Sequence, residues 1–141
     1  MLALGSRRSA RERALSLLYE ADLKGKPVSS VLAELPVAPQ KYAGEVAAGV
    51  EAHLAVIDDL VARHAIDWSV QRMPVVDRAL VRMATFELGW EPDVPTSVVI
   101  SEAVELAKLY STEESSGFVN GLLAAISREL RPEEYKLGSR P

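Results

Sequence analysis

Residues 74–110 read PVVDRALVRMATFELGWEPDVPTSVVISEAVELAKLY, and this stretch decides the fold. The two prolines of Glu91–Pro95 deny a continuous helix, so the segment divides into one helix from Val75 to about Trp90 and another from Thr96 to Tyr110. In the second, Val99, Ala103, Leu106 and Tyr110 recur at helical spacing as an inward face, with Glu102, Glu105 and Lys108 on the outer one. Strand-like alternation is hard to find, and the weight of alanine (19) and leucine (18) favours helix throughout.

Toward the N-terminus, Pro74 follows a short turn containing Trp68, and a long helix spans about Gln40 to Ala65. Its stripe is Val46, Val50, Leu54, Ile57 and Val61, with Glu45, Glu51, Asp58, Asp59 and Arg63 facing away. A short helix covers about Val28 to Leu35, closed by Pro36–Pro39, and a first one runs from about Ser6 to Lys24, stopped by Gly25 and Pro27. Toward the C-terminus, Ser111 with Glu114 three residues on forms a capping-box pattern that opens a sixth helix running to about Leu130. Asn120-Gly121 is not a hairpin turn, because Phe118, Leu122, Ala125 and Ile126 keep helical spacing across it. Gly44, Gly49 and Gly121 inside helices cost about 1 kcal/mol each relative to alanine, for which close helix–helix approach is the usual return. The expectation is an all-α bundle of six to seven helices. It forms one domain with a seam near residues 66–74 between subdomains of roughly 1–67 and 68–141.

The chain of 141 residues, 48% hydrophobic and 26% charged, reads as an ordinary soluble globular protein. The absence of cysteine excludes a disulfide framework, a thiol nucleophile and thiolate metal sites, and fits a reducing cytoplasm. Neither a signal peptide nor a membrane span is supported. The net charge is −4, yet residues 1–19 hold four arginines and one acid, a basic end on an acidic body.

That basic end opens a helix with Arg7, Arg8, Arg11 and Arg13, where the helix dipole disfavours cations by about 0.3–1 kcal/mol each. A local rule broken in this way is one mark of a functional surface. At 100° per residue Ala10, Ala14, Leu17, Leu18 and Ala21 form the buried stripe, and Arg8, Arg11, Leu15 and Tyr19 lie along one flank with Arg7 at its border. Guanidinium groups interleaved with an aromatic ring suit single-stranded nucleic acid. The same spacing also fits a solvated helix face on which Glu12 offsets Arg8.

Catalytic chemistry leaves little trace. His53 and His64 stand 11 residues apart, without the i, i+4 spacing that puts two imidazoles on one metal, and read as structural. Gly-rich phosphate loops and a Gly-x-Ser-x-Gly elbow are missing, and the adjacent Asp58 and Asp59 point 100° apart on a helix. The expectation is a protein with no catalytic residues, metal or cofactor.

Four segments in order resemble the NusB family. They are Arg7-Arg8-Ser9-Ala10-Arg11-Glu12 with Ala14 and Leu18-Tyr19; Tyr42 with Gly49-Val50; Val76-Asp77-Arg78-Ala79 with Leu80, Arg82, Ala84 and Glu87-Leu88; and Asp93-Val94-Pro95, Ile100 to Lys108 and Phe118-Val119-Asn120-Gly121. The resemblance implies two packed three-helix-type bundles. It also implies a transcription antitermination factor that binds the boxA RNA of ribosomal RNA leader transcripts together with the ribosomal protein NusE, within the RNA polymerase antitermination complex. Carried over, Arg7, Arg8, Arg11, Tyr19, Ser116 and Phe118 would contact RNA, and Asp77, Arg78 and Glu114 would face the protein partner. Ser9, Ser16, Glu114 and Gly117 depart from the family pattern and bear on RNA affinity rather than on fold. The same fold serves as the N-terminal domain of ribosomal RNA cytosine methyltransferases, so an interaction module without RNA affinity of its own is the alternative. Trp68 and Tyr110 read as packing, and monomer and homodimer both stay open.

Overall fold

The structure, a computed structural model, describes residues 2–66 and 68–138, with side chains over 7–66 and 68–135. Among these residues it holds eight α-helices, one 3-10 turn at Val70–Arg72 and no strand. The helices are α1 (Leu2–Lys24), α2 (Val28–Glu34), α3 (Lys41–Ala52), α4 (Leu54–His64), α5 (Val75–Trp90), α6 (Thr96–Tyr110), α7 (Glu113–Leu130) and α8 (Pro132–Gly138).

Helix α5 is the axis. It packs against α1, α3, α4, α6 and α7. Its buried set runs almost without interruption from Ala79 through Leu88, as expected of a helix covered on every side. One continuous core follows, from Ala10 and Ala14 on α1 through Val46 and Val50 on α3 to Leu123 and Ile126 on α7. Pro74 and Pro95 stand as the N-cap residues of α5 and α6, which is why those two helices start where the prolines place them. Helix α1 stops at Gly25, whose φ of +64° favours glycine. There Lys26 N–H donates to the Ala21 carbonyl (3.1 Å) and Gly25 N–H to that of Asp22 (3.2 Å), a Schellman ending.

Several expectations are corrected. The long third helix is two, α3 and α4, divided at His53 (φ −117°, ψ 20°). No proline or glycine sits at the break. The His53 ring is stacked on Trp90 (4.2 Å between centroids) and lies 6.3 Å from Phe86, so a tertiary contact sets the bend. The cap of α7 is Thr112, whose hydroxyl accepts from Ser115 N–H at 2.9 Å, because the Ser111 hydroxyl is drawn to Asp77 instead. Of the three, only Gly49 returns its cost as close approach: a Cβ there would overlap the Phe86 ring, whereas nothing lies within 4 Å of one on Gly121 and only Pro39 is at 4.0 Å for Gly44. Tyr110 is half exposed rather than core, and Glu102 is largely covered rather than outward. Helix α8 was not expected. It follows Arg131, whose guanidinium donates to the carbonyls of Glu87, Leu88, Glu91 and Val94 and to the Thr96 hydroxyl, at 2.8–3.2 Å. One side chain thus supplies a donor to the Leu88 and Val94 carbonyls and a second donor to those of Glu87 and Glu91, which already accept from Glu91 N–H and Val94 N–H, and so ties the end of α5 to the loop that follows it.

Candidate nucleic-acid interface

The arginines of α1 meet three fates. Arg7 is exposed, with its guanidinium carbon 3.8 Å from the Tyr42 ring centroid. Arg8 is exposed but doubly bonded to Glu102 on α6, Nε at 3.1 Å and Nη2 at 2.6 Å. Arg11 does not lie on the flank surface where its helical position suggested. It is 4% exposed, and its Nε spans both oxygens of Glu87 at 3.1 and 3.0 Å. The helical wheel missed this because Glu87 arrives from α5, and its carboxylate draws the guanidinium inward.

Glu87, itself 1% exposed, also accepts from the Tyr42 hydroxyl at 2.5 Å. Burial and the Glu87 charge push the Tyr42 hydroxyl far above the usual phenol range. Burial works against the charge on Arg11, but the hydrogen bond and charge of Glu87 outweigh it and raise its pKa. On the surface, the Arg8 hydrogen bond holds the Glu102 carboxyl below its ordinary value. Burial and the nearby Glu45 push Glu91 upward, with Arg7 opposing them. Gln40 Nε2 donates to Ser9 Oγ at 3.0 Å, tying the start of α3 to the arginine turn.

Farther along α1, Tyr19 is 38% exposed at the edge of a cavity of about 340 Å³ lined by Glu12, Leu15, Ser16, Tyr19, Val76 and Tyr110. The Tyr110 hydroxyl crosses it to donate to Glu12 at 2.8 Å, which raises the Tyr110 pKa. Glu12 therefore engages Tyr110, and it is Glu102 that offsets Arg8.

The remaining residues expected at an interface gather where α5 begins and α6 gives way to α7. Asp77 does not face outward: it is 0% exposed and accepts from the Ser111 and Ser115 hydroxyls, both at 2.7 Å. Arg78 is largely covered, bonded to Asp22 at 2.7 Å and to the carbonyls of Val70 and Gln71. Ser116 is buried, its hydroxyl donating to the Glu113 carbonyl at 2.7 Å, and Phe118 is half-buried with its ring edge-on to Trp68 at 5.0 Å. Glu114 alone of this group is exposed.

Sequence reasoning gave no role to Tyr42, Glu87 or Glu102. A signal was present for Glu87, an acid flanked by the apolar Phe86 and Leu88 and off the face that carries Arg78 and Arg82. Of the two histidines, His53 lies in an aromatic stack and His64 has its Nε2 2.8 Å from Glu129. Among the described residues, no group of three acidic, histidine or cysteine side chains could hold a metal, and no helix is long and apolar enough to cross a membrane.

Comparison with known proteins gives one answer. The NusB family profile matches residues 8–128. The transcription antitermination protein NusB of Thermobifida fusca is 45% identical over 128 residues, covering 86% of this chain and 89% of the relative. That of Beutenbergia cavernae is 45% identical, covering 96% and 99%. Among solved structures, Thermotoga maritima NusB superposes with a TM-score of 0.81 at 35% identity over 92% of this chain and 96% of that one. A NusB crystallised with NusE and double-stranded RNA gives 0.75 at 28% identity over 87% and 96%. The fold, the arginine-bearing first helix and these similarities agree that the chain belongs to the NusB family.

Proposed function

We propose that this chain is an RNA-binding transcription antitermination factor that engages boxA-type single-stranded RNA of ribosomal RNA leaders together with NusE, as part of the RNA polymerase antitermination complex in the cytoplasm. The observation that carries this reading is the edge of α1, where Arg7 lies on the Tyr42 ring, with Arg8 beside it and Tyr19 farther along the helix. Guanidinium groups beside aromatic faces bind phosphates and stacked bases without forming a catalytic pocket, and the chain acts as a binding protein rather than an enzyme. In this reading Arg7, Arg8 and Tyr19 meet RNA directly, while Arg11 braces the surface from beneath. Phe118 extends the surface, Ser116 fixes the first turn of α7, and Glu114 meets the protein partner over a turn that Asp77 and Arg78 hold in shape.

Fluorescence anisotropy of a short boxA-type RNA tests the reading, with and without NusE, against a scrambled RNA and at two salt concentrations. Selective, salt-sensitive binding strengthened by NusE is the expected result. Equal binding to both RNAs, or none with NusE present, would point to the second reading, a protein-interaction module. The observation in its favour is that Glu102 and Glu87 already neutralise Arg8 and Arg11. A homodimer that covered the arginine edge would have to dissociate for RNA to bind, and light scattering with and without RNA reads that mass directly.

A further inference from the structure

A guanidinium paired with a carboxylate has its donor fork occupied, whereas one held over an aromatic ring by cation–π attraction keeps N–H donors for an incoming phosphate. Arg8 and Arg11 are in the first condition, through Glu102 and Glu87. Arg7 is in the second, 3.8 Å above the Tyr42 ring, and pairs with no carboxylate among the described residues. The ring beneath it is not free to turn. Its hydroxyl is bonded to Glu87 Oε2, and the same oxygen is held by Arg11. A chain of contacts therefore runs from the centre of α5 through α3 to the arginine at the edge of α1.

We infer that Tyr42 is a positioning residue for RNA: anchored by Glu87, it holds the Arg7 guanidinium over its ring, where its N–H donors can meet a phosphate. The inference rests on the RNA-binding reading. It assigns function to a residue that is 9% exposed and would otherwise count as core. It also separates the two parts of the side chain. The ring carries Arg7, and the hydroxyl fixes the ring.

The test is the salt dependence of single-stranded RNA binding by the full chain with NusE present. Each phosphate contact contributes about 0.7 to the log–log slope, roughly 2.6-fold in affinity between about 50 and 200 mM salt. Arg7→Ala lowers the slope by about one contact. Tyr42→Leu, which leaves Arg7 in place, lowers it as much, while Tyr42→Phe, which keeps the ring but loses its bond to Glu87, lowers it by a measurable fraction of one contact. Combining Arg7→Ala with Tyr42→Leu lowers it no further than either alone, as required of two residues acting as one. Circular dichroism confirms the fold of each variant, and Tyr42→Met carries the same test if the leucine variant does not fold. A folded Tyr42→Leu or Tyr42→Met protein with the wild-type slope overturns the inference and leaves the RNA reading intact. A wild-type chain that binds no RNA even with NusE removes both.

Discussion

The Arg11 guanidinium and the Glu87 carboxylate meet 76 residues apart in the sequence, Nη2 to Oε2 at 2.9 Å, with 4% and 1% of their side chains exposed. A buried ion pair adds little net stability over an apolar pair of the same shape, but removing one partner leaves an uncompensated charge. Glu87→Leu should therefore lower the unfolding free energy by about 3–5 kcal/mol. The double variant Arg11→Met with Glu87→Gln, which discharges both sides and keeps an acceptor for Tyr42, should recover most of it. Urea unfolding of the two variants measures this. Equal losses in both would mean that packing, not charge, dominates the site.

Acid should loosen the contact between α4 and α7. Arg63 and His64 hold the Glu129 carboxyl at about 2, below its ordinary value of 4.5. A carboxyl depressed in the folded state stabilises it above the unfolded pKa, and that contribution fades as pH falls from the ordinary glutamate range toward about 2. Glu102 and Glu34 are shifted in the same direction by Arg8 and Lys26. Denaturant midpoints measured through this range should fall with pH, and Glu129→Gln should flatten the curve.

Two helical glycines should respond oppositely to alanine. At Gly49 the new methyl group would overlap the Phe86 ring, so Gly49→Ala should destabilise by about 1–3 kcal/mol despite its better helix propensity. At Gly121 the methyl group meets nothing within 4 Å, and Gly121→Ala should stabilise by up to about 1 kcal/mol. Thermal unfolding separates them by the sign of the change in Tm.

Arg131→Lys keeps the charge but cannot copy a planar donor set that reaches four carbonyls and a hydroxyl. We expect a loss of about 1.5–3 kcal/mol. Faster amide exchange should be confined at first to the end of α5 and residues 91–95. Exchange that rises uniformly across the chain would contradict a local capping role.

Glu102→Gln should release the Arg8 guanidinium. If Arg8 then reaches a phosphate, RNA affinity rises and the log–log salt slope steepens by about 0.7. An unchanged slope would show that Glu102 does not compete with RNA for Arg8.

The sequence makes some of this plain and hides the rest for physical reasons. Helices α5 and α6 begin and end as predicted, since Pro74, Pro95 and the Glu91–Pro95 loop act through local backbone rules. The bend at His53 is invisible locally, because its cause is the Trp90 ring 37 positions away. Arg7, Arg8 and Tyr19 are exposed as the wheel places them, whereas Arg11 departs from it because of a carboxylate contributed by another helix. Asp77 and Ser116 read as contact residues, yet each is occupied by hydroxyl or carbonyl partners within the turn it shapes.

The central position of α5 also orders events in time. Synthesis proceeds from the N-terminus, and Tyr42 leaves the peptidyl transferase centre 45 residues ahead of Glu87. At about 5–20 residues per second that is roughly 2–9 s during which the Tyr42 ring has no anchor, and Arg11, 76 residues ahead of Glu87, waits roughly 4–15 s for that partner. The nascent first half therefore carries the charges of its basic end before it has the acid that organises them. The edge that bears Arg7 takes its final shape only once the middle of the chain has been made.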